Sequence, residues 1–460
     1  MKTWLLGLLA SLLLAGLAGC GPGQVMPPDM TGELVVGIRN SPTTYYLDRN
    51  GDPKGFEYDL VARFAERNGW RLRLIQAESL DDLLELAATG KVNIAAAGLT
   101  STASRKARMS FGPAYGRIKE WVVCNQGLDR PRGLADFVRN PDLRLEVVAG
   151  SSHADHLETL RGKDMPALRW KEMATAGTET LLQRVDLGLS DCTVADSDSL
   201  ELAHNFHPNL RDAFVLRDDL HQAWAMRLGV DVAFARKVTR FFRDLEKSGE
   251  LADLRERYFG HVTRLAEADV VGLLERRIRL LPELVSFFHS AQRETGIDWR
   301  FLAAVAYQES QWDAHAVSPT GVRGIMMLTE ATADHLGVKN RLDAEESILG
   351  GARYLAQLRD ALPASIPEPD RTWFALAAYN IGPGHLEDAR TLARRLGRDP
   401  DKWSDMKETL PLLARSKHNQ SLRYGFARGG EARALAENVR IYYDIISRYE
   451  KPYRDIWSLD

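Results

Sequence analysis

The sequence predicts two domains in series, an α/β domain followed by an all-α domain. A chain of 460 residues is too long for one hydrophobic core, since domains usually contain about 100 to 200 residues. From Glu33 to about His261, short runs of β-branched residues alternate with amphipathic helical runs. From about Leu265 onward strand signals vanish, and leucine, alanine and arginine recur at helical spacing. We therefore expect an α/β domain over residues 33–264 and a helical domain over residues 265–460.

The composition is that of an ordinary globular protein. Hydrophobic residues make up 45% of the chain, charged residues make up 27%, and the formal net charge is -3. This charge balance gives no indication of a nucleic-acid surface, so we expect no nucleic acid among the partners.

The N-terminus carries a targeting signal. Lys2 supplies a positive start, and the apolar run WLLGLLASLLLAGLAG is too short to span a membrane comfortably. The run leads into the sequence LAGC at Leu17–Cys20, which resembles the bacterial lipobox. There the signal is cut before the cysteine, and that cysteine is acylated.

The lipobox resemblance implies a signal peptide over residues 1–19, lipidation of Cys20 and a tether over residues 20–32. Gly21, where sorting to the inner membrane would use aspartate, implies an anchor in the outer membrane. The body of the protein would then lie in the periplasm. Acyl chains bind membranes through burial of their methylene groups.

Two further cysteines, Cys124 and Cys192, would lie in an oxidising compartment. They could pair, or each could be a separately buried thiol. The sequence does not decide between these alternatives, because it does not show whether the two Cβ atoms approach each other.

Strands and helices alternate through the first half. The runs ELVVGIR, VNIAAAGL and LRLEVVAG read as strands, and FEYDLVARFAERNG and DDLLELAATG read as helices. Strands that are apolar throughout are typical of a sheet covered on both faces by helices.

The stretches GIRNSPTTYYLDRNGDPKGFEYDLVARFAERNG and AATGKVNIAAAGLTSTASRKARMSFGPAY resemble the family 3 periplasmic solute-binding proteins for amino acids. The resemblance implies two α/β lobes that close on an amino acid, and for this chain we expect an amino acid or muropeptide as the ligand. In that family, a Gly-Met-Thr-x-Thr-x-x-Arg motif supplies an arginine that holds the ligand carboxylate. Here the motif is GLTSTASR, so the match places Thr100 and Arg105 at the ligand. The usual Pro-Glu before the arginine is Ala103-Ser104, which leaves the ligand open.

The same resemblance implies further ligand contacts. The run VVAGSSHADHLETL changes from strand to helix, so Ser151 and Ser152 would form an anion site at a helix N-terminus. The run DCTVADSDSL matches a family strand that ends in an aspartate facing the ligand amine, which points to Asp196. Tyr45 lies near the position where the family stacks an aromatic ring on its ligand.

In the second half, a carboxylate lies within an apolar helical run. Asp298 is a suitable N-cap for this helix. At 100° per residue, one narrow arc holds Leu302, Val305, Glu309 and Trp312. The glutamate on this arc would be partly desolvated. Desolvation raises its pKa and keeps a proton available near neutral pH for a leaving group.

The run ESQWDAHAVSPTGVRGIMMLTEATADHLGV, followed by AYNIG, resembles the soluble lytic transglycosylase domain, which has a lysozyme-like fold. That family carries Glu-Ser, Gly-Leu-Met-Gln and Ala-Tyr-Asn-x-Gly motifs. This chain has Glu309-Ser310, Gly324–Met327 and Ala378–Gly382 in the same order. The family cleaves the MurNAc-GlcNAc bond of peptidoglycan without water and leaves a 1,6-anhydromuramic end. The resemblance therefore implies peptidoglycan glycan strands as the substrate, and no cofactor.

The family chemistry uses one carboxyl group. Glu309 would protonate the glycosidic oxygen and then, as a carboxylate, take the proton of the sugar's 6-hydroxyl. Ser318 matches a family serine that hydrogen-bonds near the catalytic centre. Tyr379 and Asn380 match the Ala-Tyr-Asn motif, where the tyrosine hydroxyl can reach the glutamate, although core packing is an alternative for this ring.

Three residues are expected to contact substrate: Ser310, Met326 and Met327. For the two methionines, lining the sugar groove and filling the core remain equal alternatives. The family's glutamine is replaced by Met327, and the family's proline three residues later is replaced by Glu330. These departures affect how the saccharide is held and leave the acid in place.

Two other functions remain open, a lysozyme-type peptidoglycan hydrolase and a non-catalytic, wall-attached solute receptor. A further hypothesis is that a ligand of the first domain modulates cleavage by the second. We expect no metal, because the histidine pairs His153/His156 and His204/His207 lack further ligands at suitable spacing.

Overall fold

The computed structural model describes residues 23–47, 52–260, 267–318 and 321–454. The chain divides into two compact units, Met1–Phe259 and Gly260–Asp460. The predicted lipidation site Cys20 and the predicted signal peptide lie outside the described residues.

The first unit contains two five-stranded sheets and a two-stranded ribbon. Its described strands are β1 (Glu33–Ile38), β2 (Tyr46–Leu47), β3 (Pro53–Lys54), β4 (Arg71–Gln76), β5 (Ile94–Ala95), β6 (Met109–Phe111), β7 (Gly116–Asn125), β8 (Leu145–Val148), β9 (Lys171–Met173), β10 (Cys192–Asp196), β11 (Leu210–Gln222) and β12 (Ala225–Arg227).

Helices connect and cover these strands. They are α1 (Pro28–Thr31), α2 (Phe56–Arg67), α3 (Leu80–Ala88), α4 (Ala103–Lys106), α5 (Leu134–Arg139), α6 (Ser152–Lys163), α7 (Thr178–Asp186), α8 (Ser197–His204), α9 (Val232–Ser248) and α10 (Glu250–Phe259).

Each five-stranded sheet forms the centre of one lobe. The first lobe has the strand order β4-β1-β5-β12-β6, and the second lobe has the order β11-β7-β10-β8-β9. The chain enters the second lobe between β6 and β7 and returns between β11 and β12. This arrangement confirms the predicted bilobal α/β domain.

The local sequence explains why these elements form. In β1, five of the six residues are buried, as expected for a strand covered on both faces. In α2, Phe56, Leu60, Val61 and Phe64 recur at helical spacing and enter the core of the first lobe. Helix α9 contributes a second apolar face to the same core.

Cys124 and Cys192 form a disulfide. They are directly opposite each other on the antiparallel strands β7 and β10. The sequence left open a disulfide or two separately buried thiols, and the structure contains the disulfide.

Helices are the regular elements of the described second unit, beside two isolated β-bridges. They are α11 (Glu267–Arg279), α12 (Leu281–Thr295), α13 (Trp299–Ser310), α14 (Glu330–Leu336), α15 (Ala344–Asp360), α16 (Asp370–Ile381), α17 (Pro383–Arg395), α18 (Trp403–Thr409), the 3₁₀ helix Leu410–Ala414, α19 (Ser416–Asn419) and α20 (Gly429–Tyr449).

Helix α13 lies at the centre of this unit. It packs against α12, α15 and the long C-terminal helix α20, while α16 packs against α15 and α20. The predicted all-α fold of the second half is confirmed.

Candidate active site

Glu309 lies where helix α13 leaves the hydrophobic core. Asp298 caps the start of this helix, and its carboxylate accepts the Arg300 N–H at 2.9 Å. Every residue from Trp299 to Tyr307 is buried, so the core encloses the helix on all sides and not only on the predicted apolar face. Glu309 follows two residues later and is half-buried. The core therefore fixes the backbone that carries this carboxylate.

A turn of left-handed residues ends the helix directly after Glu309. The helix stops at Ser310, and Gln311 and Trp312 have φ angles of 55° and 64°. Each such residue costs about 1 to 3 kcal/mol and persists only where its surroundings fix it. Trp312 is buried, and its indole N–H donates to the Ala303 carbonyl at 2.8 Å. The sequence predicted Trp312 on the same helix as Glu309. In the structure, Trp312 lies beyond the end of the helix, and this hydrogen bond holds it there.

The surroundings of Glu309 favour a neutral carboxylic acid. Burial raises the pKa of Glu309 to about 7. Among residues 267–318 and 321–454, the carboxylate has no hydrogen-bond or ion-pair partner that would favour the anion. An acid with a pKa near the working pH can donate a proton in one step and accept one in the next.

The Gly324–Met327 block folds against the end of α13. The Ser310 hydroxyl donates to the Ile325 carbonyl at 2.9 Å, which joins two of the predicted motifs. Gly324 has a φ of 82°, and a Cβ there would lie 1.7 Å from the Arg341 carbonyl oxygen. Only glycine fits this position.

The two methionines of the block have different environments. Met326 is fully buried, and its side chain packs where Gly351 has no Cβ. The structure therefore supports core packing for Met326 and corrects the expected substrate contact of this side chain. Met327 is half-buried and has a left-handed φ of 48°.

Helix α16 brings Tyr379 to the same block. Its hydroxyl donates to the Met326 carbonyl at 2.7 Å, whereas the sequence suggested a contact with Glu309. Burial raises the pKa of Tyr379 well above its ordinary value, and the charge of Glu309 adds to the effect. The two groups are therefore electrostatic neighbours. Asn380, the next residue, is exposed at the end of the helix.

Ser318 lies on the loop between α13 and the block. Its hydroxyl accepts the Val322 N–H at 3.2 Å, and its own N–H donates to the Val322 carbonyl at 3.0 Å. The loop returns to the block through the Gly324 N–H, which donates to the Ala316 carbonyl at 2.9 Å. These bonds fix the loop backbone on both sides of the serine.

The first unit has a small polar cavity between its lobes. Its volume is about 90 Å³, and its charged or polar wall includes Arg39, Thr44, Glu57, Asp196, Asp198 and Gln222. This volume is well below the roughly 300 Å³ of usual ligand pockets. The first unit is therefore in a closed arrangement.

The structure uses Arg105 to join the lobes and does not place it on the cavity wall. The guanidinium is buried, and it donates to the Thr100 carbonyl at 3.1 Å and to the Gly150 carbonyl at 2.9 Å. Burial lowers the pKa of Arg105. Beside this contact, the Ser104 hydroxyl donates to the Asp155 carboxylate at 3.1 Å. Arg105, which was expected to bind a ligand carboxylate, thus forms hydrogen bonds to both lobes of the protein.

The helix N-terminus expected to bind the ligand carboxylate is next to a carboxylate of the chain. Ser151 caps α6, its hydroxyl accepting the Ala154 N–H at 3.1 Å. The Ser152 hydroxyl donates to Glu120 at 2.7 Å, and Arg217 binds the same carboxylate through two nitrogens at 2.8 and 2.7 Å. Glu120 was not predicted from the sequence, although its place directly before the apolar run WVVC was a usable signal.

Of the six residues predicted for the ligand site, Asp196 is the one on the cavity wall. Its carboxylate caps α8 by accepting the Ser199 N–H at 2.9 Å and hydroxyl at 2.8 Å. Tyr45 is buried in the core of the first lobe beside Tyr58, their ring centroids 6.1 Å apart.

Three ionisable residues of the cavity were not predicted from the sequence. Glu57 is buried and accepts hydrogen bonds from the Tyr115 hydroxyl, from Trp224 Nε1 at 2.9 Å and from the Gly98 N–H at 2.7 Å. Burial and nearby Asp196 raise the pKa of Asp198 to about 6. Burial lowers the pKa of Arg39, and in the described chain its guanidinium has no ion-pair partner.

Comparisons with known proteins agree with this division of the chain. Residues 286–401 match the Transglycosylase SLT domain, and residues 34–261 match Bacterial extracellular solute-binding proteins, family 3. The membrane-bound lytic murein transglycosylase F of Nitrosospira multiformis is 45% identical over 96% of this chain and 93% of that protein. The enzyme of the same name from Thiobacillus denitrificans is 43% identical over 98% and 96%.

The chain belongs to the membrane-bound lytic murein transglycosylase F family. It is a lytic murein transglycosylase, and peptidoglycan is the substrate that this family implies. Neither the lysozyme-type hydrolase nor the non-catalytic receptor is favoured. Glu309, the Gly324–Met327 block and Tyr379 all fall within the transglycosylase match.

A mutant ArgBP from T. maritima is similar to 51% of this chain and 97% of its own, with 24% identity and a TM-score of 0.45. The names of the family F relatives describe them as membrane-bound. In the described part of this chain, no helix has the length and apolarity required to cross a membrane.

Proposed function

We propose that Glu309 is the acid and then the base of a non-hydrolytic cleavage of the MurNAc-GlcNAc β-1,4 bond. The protonated carboxyl gives its proton to the glycosidic oxygen as the bond from C1 to that oxygen breaks. The resulting carboxylate takes the proton of the 6-hydroxyl as O6 attacks C1. A 1,6-anhydroMurNAc end forms, and the carboxylic acid is regenerated without water.

The observation that carries this proposal is the state of Glu309. It combines a pKa of about 7 with a half-buried position where three sequence motifs meet. Hydrolases with two carboxylates need a second acid that serves as a nucleophile or activates a water. The nearby acids Asp313 and Glu330 are both exposed, which supports a mechanism with one carboxyl group.

We assign roles in positioning the site and in contacting the saccharide to the residues around this acid. Ser310 and Tyr379 hold the carbonyl groups of the Gly324–Met327 block and so set its distance from Glu309. Ser318 and Asn380 offer polar groups to the saccharide. Met327 replaces the family glutamine and offers an apolar contact in place of an amide.

Product analysis tests the chemistry. Purified protein should release anhydro ends from sacculi, which are lighter by one water than the reducing ends of a hydrolase. Glu309→Gln should lower the rate by about 100- to 10,000-fold, which is the usual contribution of a general acid or base. Asp313→Asn is the control and should retain activity. Reducing ends from the wild-type protein, or full activity of Glu309→Gln, would reject the proposal.

We further propose that the first unit binds an amino acid or muropeptide and modulates the second. The cavity supports a zwitterionic ligand, with Arg39 facing a carboxylate and Asp196 or Asp198 facing an amine. Because the cavity of about 90 Å³ is too small, the lobes must separate to admit such a ligand. A ligand that favours one arrangement of the lobes can shift the equilibrium between them.

Calorimetry on the full mature chain tests this second proposal. Free amino acids and the peptides released from digested sacculi are the probes. Arg39→Ala should abolish binding, and Arg73→Ala, an exposed arginine of the same lobe, should not. If saturating peptides bind and leave the cleavage rate unchanged, the regulatory role is discarded.

We propose a domain plan with a signal peptide at 1–19, a lipidated tether at 20–32, a solute-binding-like domain at 33–264 and a transglycosylase domain at 265–460. Lipid on Cys20 would anchor the protein at the periplasmic face of the outer membrane. The mass of the N-terminal peptide tests the lipidation of Cys20. The density of the membrane fraction that contains the protein tests the outer-membrane location. Release of Cys20→Ser into the soluble fraction is the expected result.

A further inference from the structure

An apolar patch lies beside the N-terminal end of the described chain. Four large hydrophobic side chains are exposed there, namely Met26 at 41%, Met30 at 68%, Leu228 at 51% and Val232 at 61%. Met26 and Met30 share a cavity of about 380 Å³ with residues 229–231, so the two chain segments are neighbours. Exposed apolar residues that occur singly are ordinary, but a cluster marks an interaction surface. We call these four residues the N-terminal apolar patch.

The segment that carries the two methionines belongs to the predicted tether at 20–32, but in the structure it is held on the first unit. The Val25 N–H donates to the Gly90 carbonyl at 2.8 Å, and the Asn93 side-chain amide donates to the Met26 carbonyl at 3.1 Å. Asp29 forms an ion pair with Lys237 on α9. The patch is therefore presented by a fixed backbone.

A row of arginines continues the patch along α9. Val232 begins this helix, and Arg236, Arg240 and Arg243 follow at steps of four, four and three residues. These steps place them on one helical face, and all three are exposed. We call them the basic stripe. Apolar side chains beside cations are the composition of protein surfaces that bind at anionic lipid interfaces.

The short distance along the chain from Cys20 to the patch indicates that a lipid bilayer contacts this surface. Met26 is six residues beyond Cys20, which is about 20 Å of fully extended chain at most. Acyl chains on Cys20 would therefore hold the patch close to the bilayer that they enter. Stable anchoring usually needs a second signal besides acylation, such as a basic or apolar surface.

We propose that the N-terminal apolar patch and the basic stripe dock the first unit on the lipid surface that receives the acyl chains of Cys20. The apolar side chains enter the headgroup region, and the arginines bind anionic headgroups. This inference rests on the proposed lipidation of Cys20. It adds an orientation for the first unit that acylation through a tether does not supply.

Vesicle sedimentation tests the surface without the acyl chains. The whole unacylated mature chain, residues 20–460, is mixed with vesicles of phosphatidylethanolamine and phosphatidylglycerol. The wild-type chain should bind, and the double variant Met30→Glu, Val232→Glu should bind about tenfold more weakly. Vesicles of phosphatidylcholine should bind the wild-type chain less well, because they carry no net negative charge to attract the basic stripe.

The matched control is the double variant Leu187→Glu, Leu189→Glu in the second lobe, where the side chains are 62% and 53% exposed. It should bind like the wild-type chain. Absence of wild-type binding, equal binding by the patch variant, or equal loss by the control would overturn the inference. Self-association without vesicles that the patch variant abolishes would also overturn it, in favour of a second copy as the occupant.

Two separate readouts distinguish this result from failure of the proposed function. The mass of the N-terminal peptide from cells reports acylation of Cys20. Release of anhydro products from sacculi reports catalysis, and both double variants should retain it because neither changes the second unit.

Discussion

Glu309 shows how burial alone prepares a side chain for acid catalysis. Its carboxylate has no partner in the described part of the second unit, so desolvation acts without an opposing charge. Glu120 of the first unit shows the opposite case. It is more deeply buried, but its hydrogen bonds and ion pair with Arg217 hold its pKa well below the ordinary value, against the effect of burial. The partners of a buried acid decide whether it keeps its proton.

The first prediction concerns the pH dependence of cleavage. Because the protonated form of Glu309 starts the reaction and its pKa is about 7, kcat/KM should fall as the pH rises above 7. The decline should approach about tenfold per pH unit. Anhydro-product release measured across the pH range checks this. A rate that stays constant well into the alkaline range would mean that another group donates the proton.

The second prediction concerns stability. The pKa of Glu309 rises from 4.5 to about 7 on folding, so between these values the folded state holds a proton that the unfolded state releases. The free energy of unfolding therefore falls as the pH rises through this window. Glu309→Gln removes the effect and should stabilise the protein by about 1 to 3 kcal/mol above pH 7, with little change below pH 4.5.

Denaturant unfolding at both ends of this pH window measures the difference. Asp313→Asn changes an exposed acid four residues away and should shift neither value. A gain of the same size at low pH would show that the glutamine stabilises by packing and not by removal of a desolvated charge.

At the scale of elements, the site depends on backbone contacts that bring α13, the Gly324–Met327 block and α16 together. Ser310 and Tyr379 both donate to carbonyl groups of the block, and Trp312 donates back to α13. Side chains that bond to the backbone fix the position of the motifs with little dependence on neighbouring side chains. The helix and the two motifs therefore form one supported unit around the acid.

The third prediction tests this support. A Cβ at Gly324 would lie 1.7 Å from a backbone oxygen that cannot move away, and its φ of 82° is unfavourable for alanine. Gly324→Ala should destabilise the second unit by about 3 kcal/mol or more and lower cleavage with it.

Gly337→Ala provides the matched control. Gly337 also has a positive φ, 72°, but nothing lies within 4 Å of a Cβ built there. It should cost only about 1 kcal/mol. Thermal unfolding compares the two variants, and equal losses would show that the φ angle and not the Arg341 carbonyl limits position 324.

At the scale of the first unit, the lobes are joined by Arg105, which the sequence assigned to a ligand, and by Ser104 beside it. Arg105 of the first lobe donates to the Gly150 carbonyl of the second, and Ser104 donates to Asp155. The closed arrangement thus has contacts of its own. These contacts must break before the lobes can open to admit a ligand.

The fourth prediction follows from this bridge. Arg105→Ala should raise the population of the open first unit about tenfold or more, because a charged hydrogen bond contributes about 1.5 to 3 kcal/mol. Hydrogen exchange at residues 100–105 and 150–155 of the full chain should become faster to the same extent. Arg73→Ala should change neither stretch. Unchanged exchange in Arg105→Ala would show that other contacts close the lobes.

The sequence predicted the fold class and both domain types, because hydrophobic period and motif order are local properties of the chain. It also placed Glu309, Ser310 and the Gly324–Met327 block in one region. It left open whether Met326 lines the sugar groove or fills the core, and it did not predict that Tyr379 donates to a carbonyl. Those outcomes depend on which groups of distant segments meet.

Whether Arg105 faces a ligand or a carbonyl oxygen, and whether Glu309 has a partner, was decided only by the tertiary structure. Residue type and spacing determine which chemistry a side chain can perform. The pKa and the hydrogen bonds of that side chain depend on how much water the rest of the fold removes and on which groups it supplies instead. For this protein, the motifs determined the kind of reaction, and the packing around α13 determined that its acid holds a proton near neutral pH.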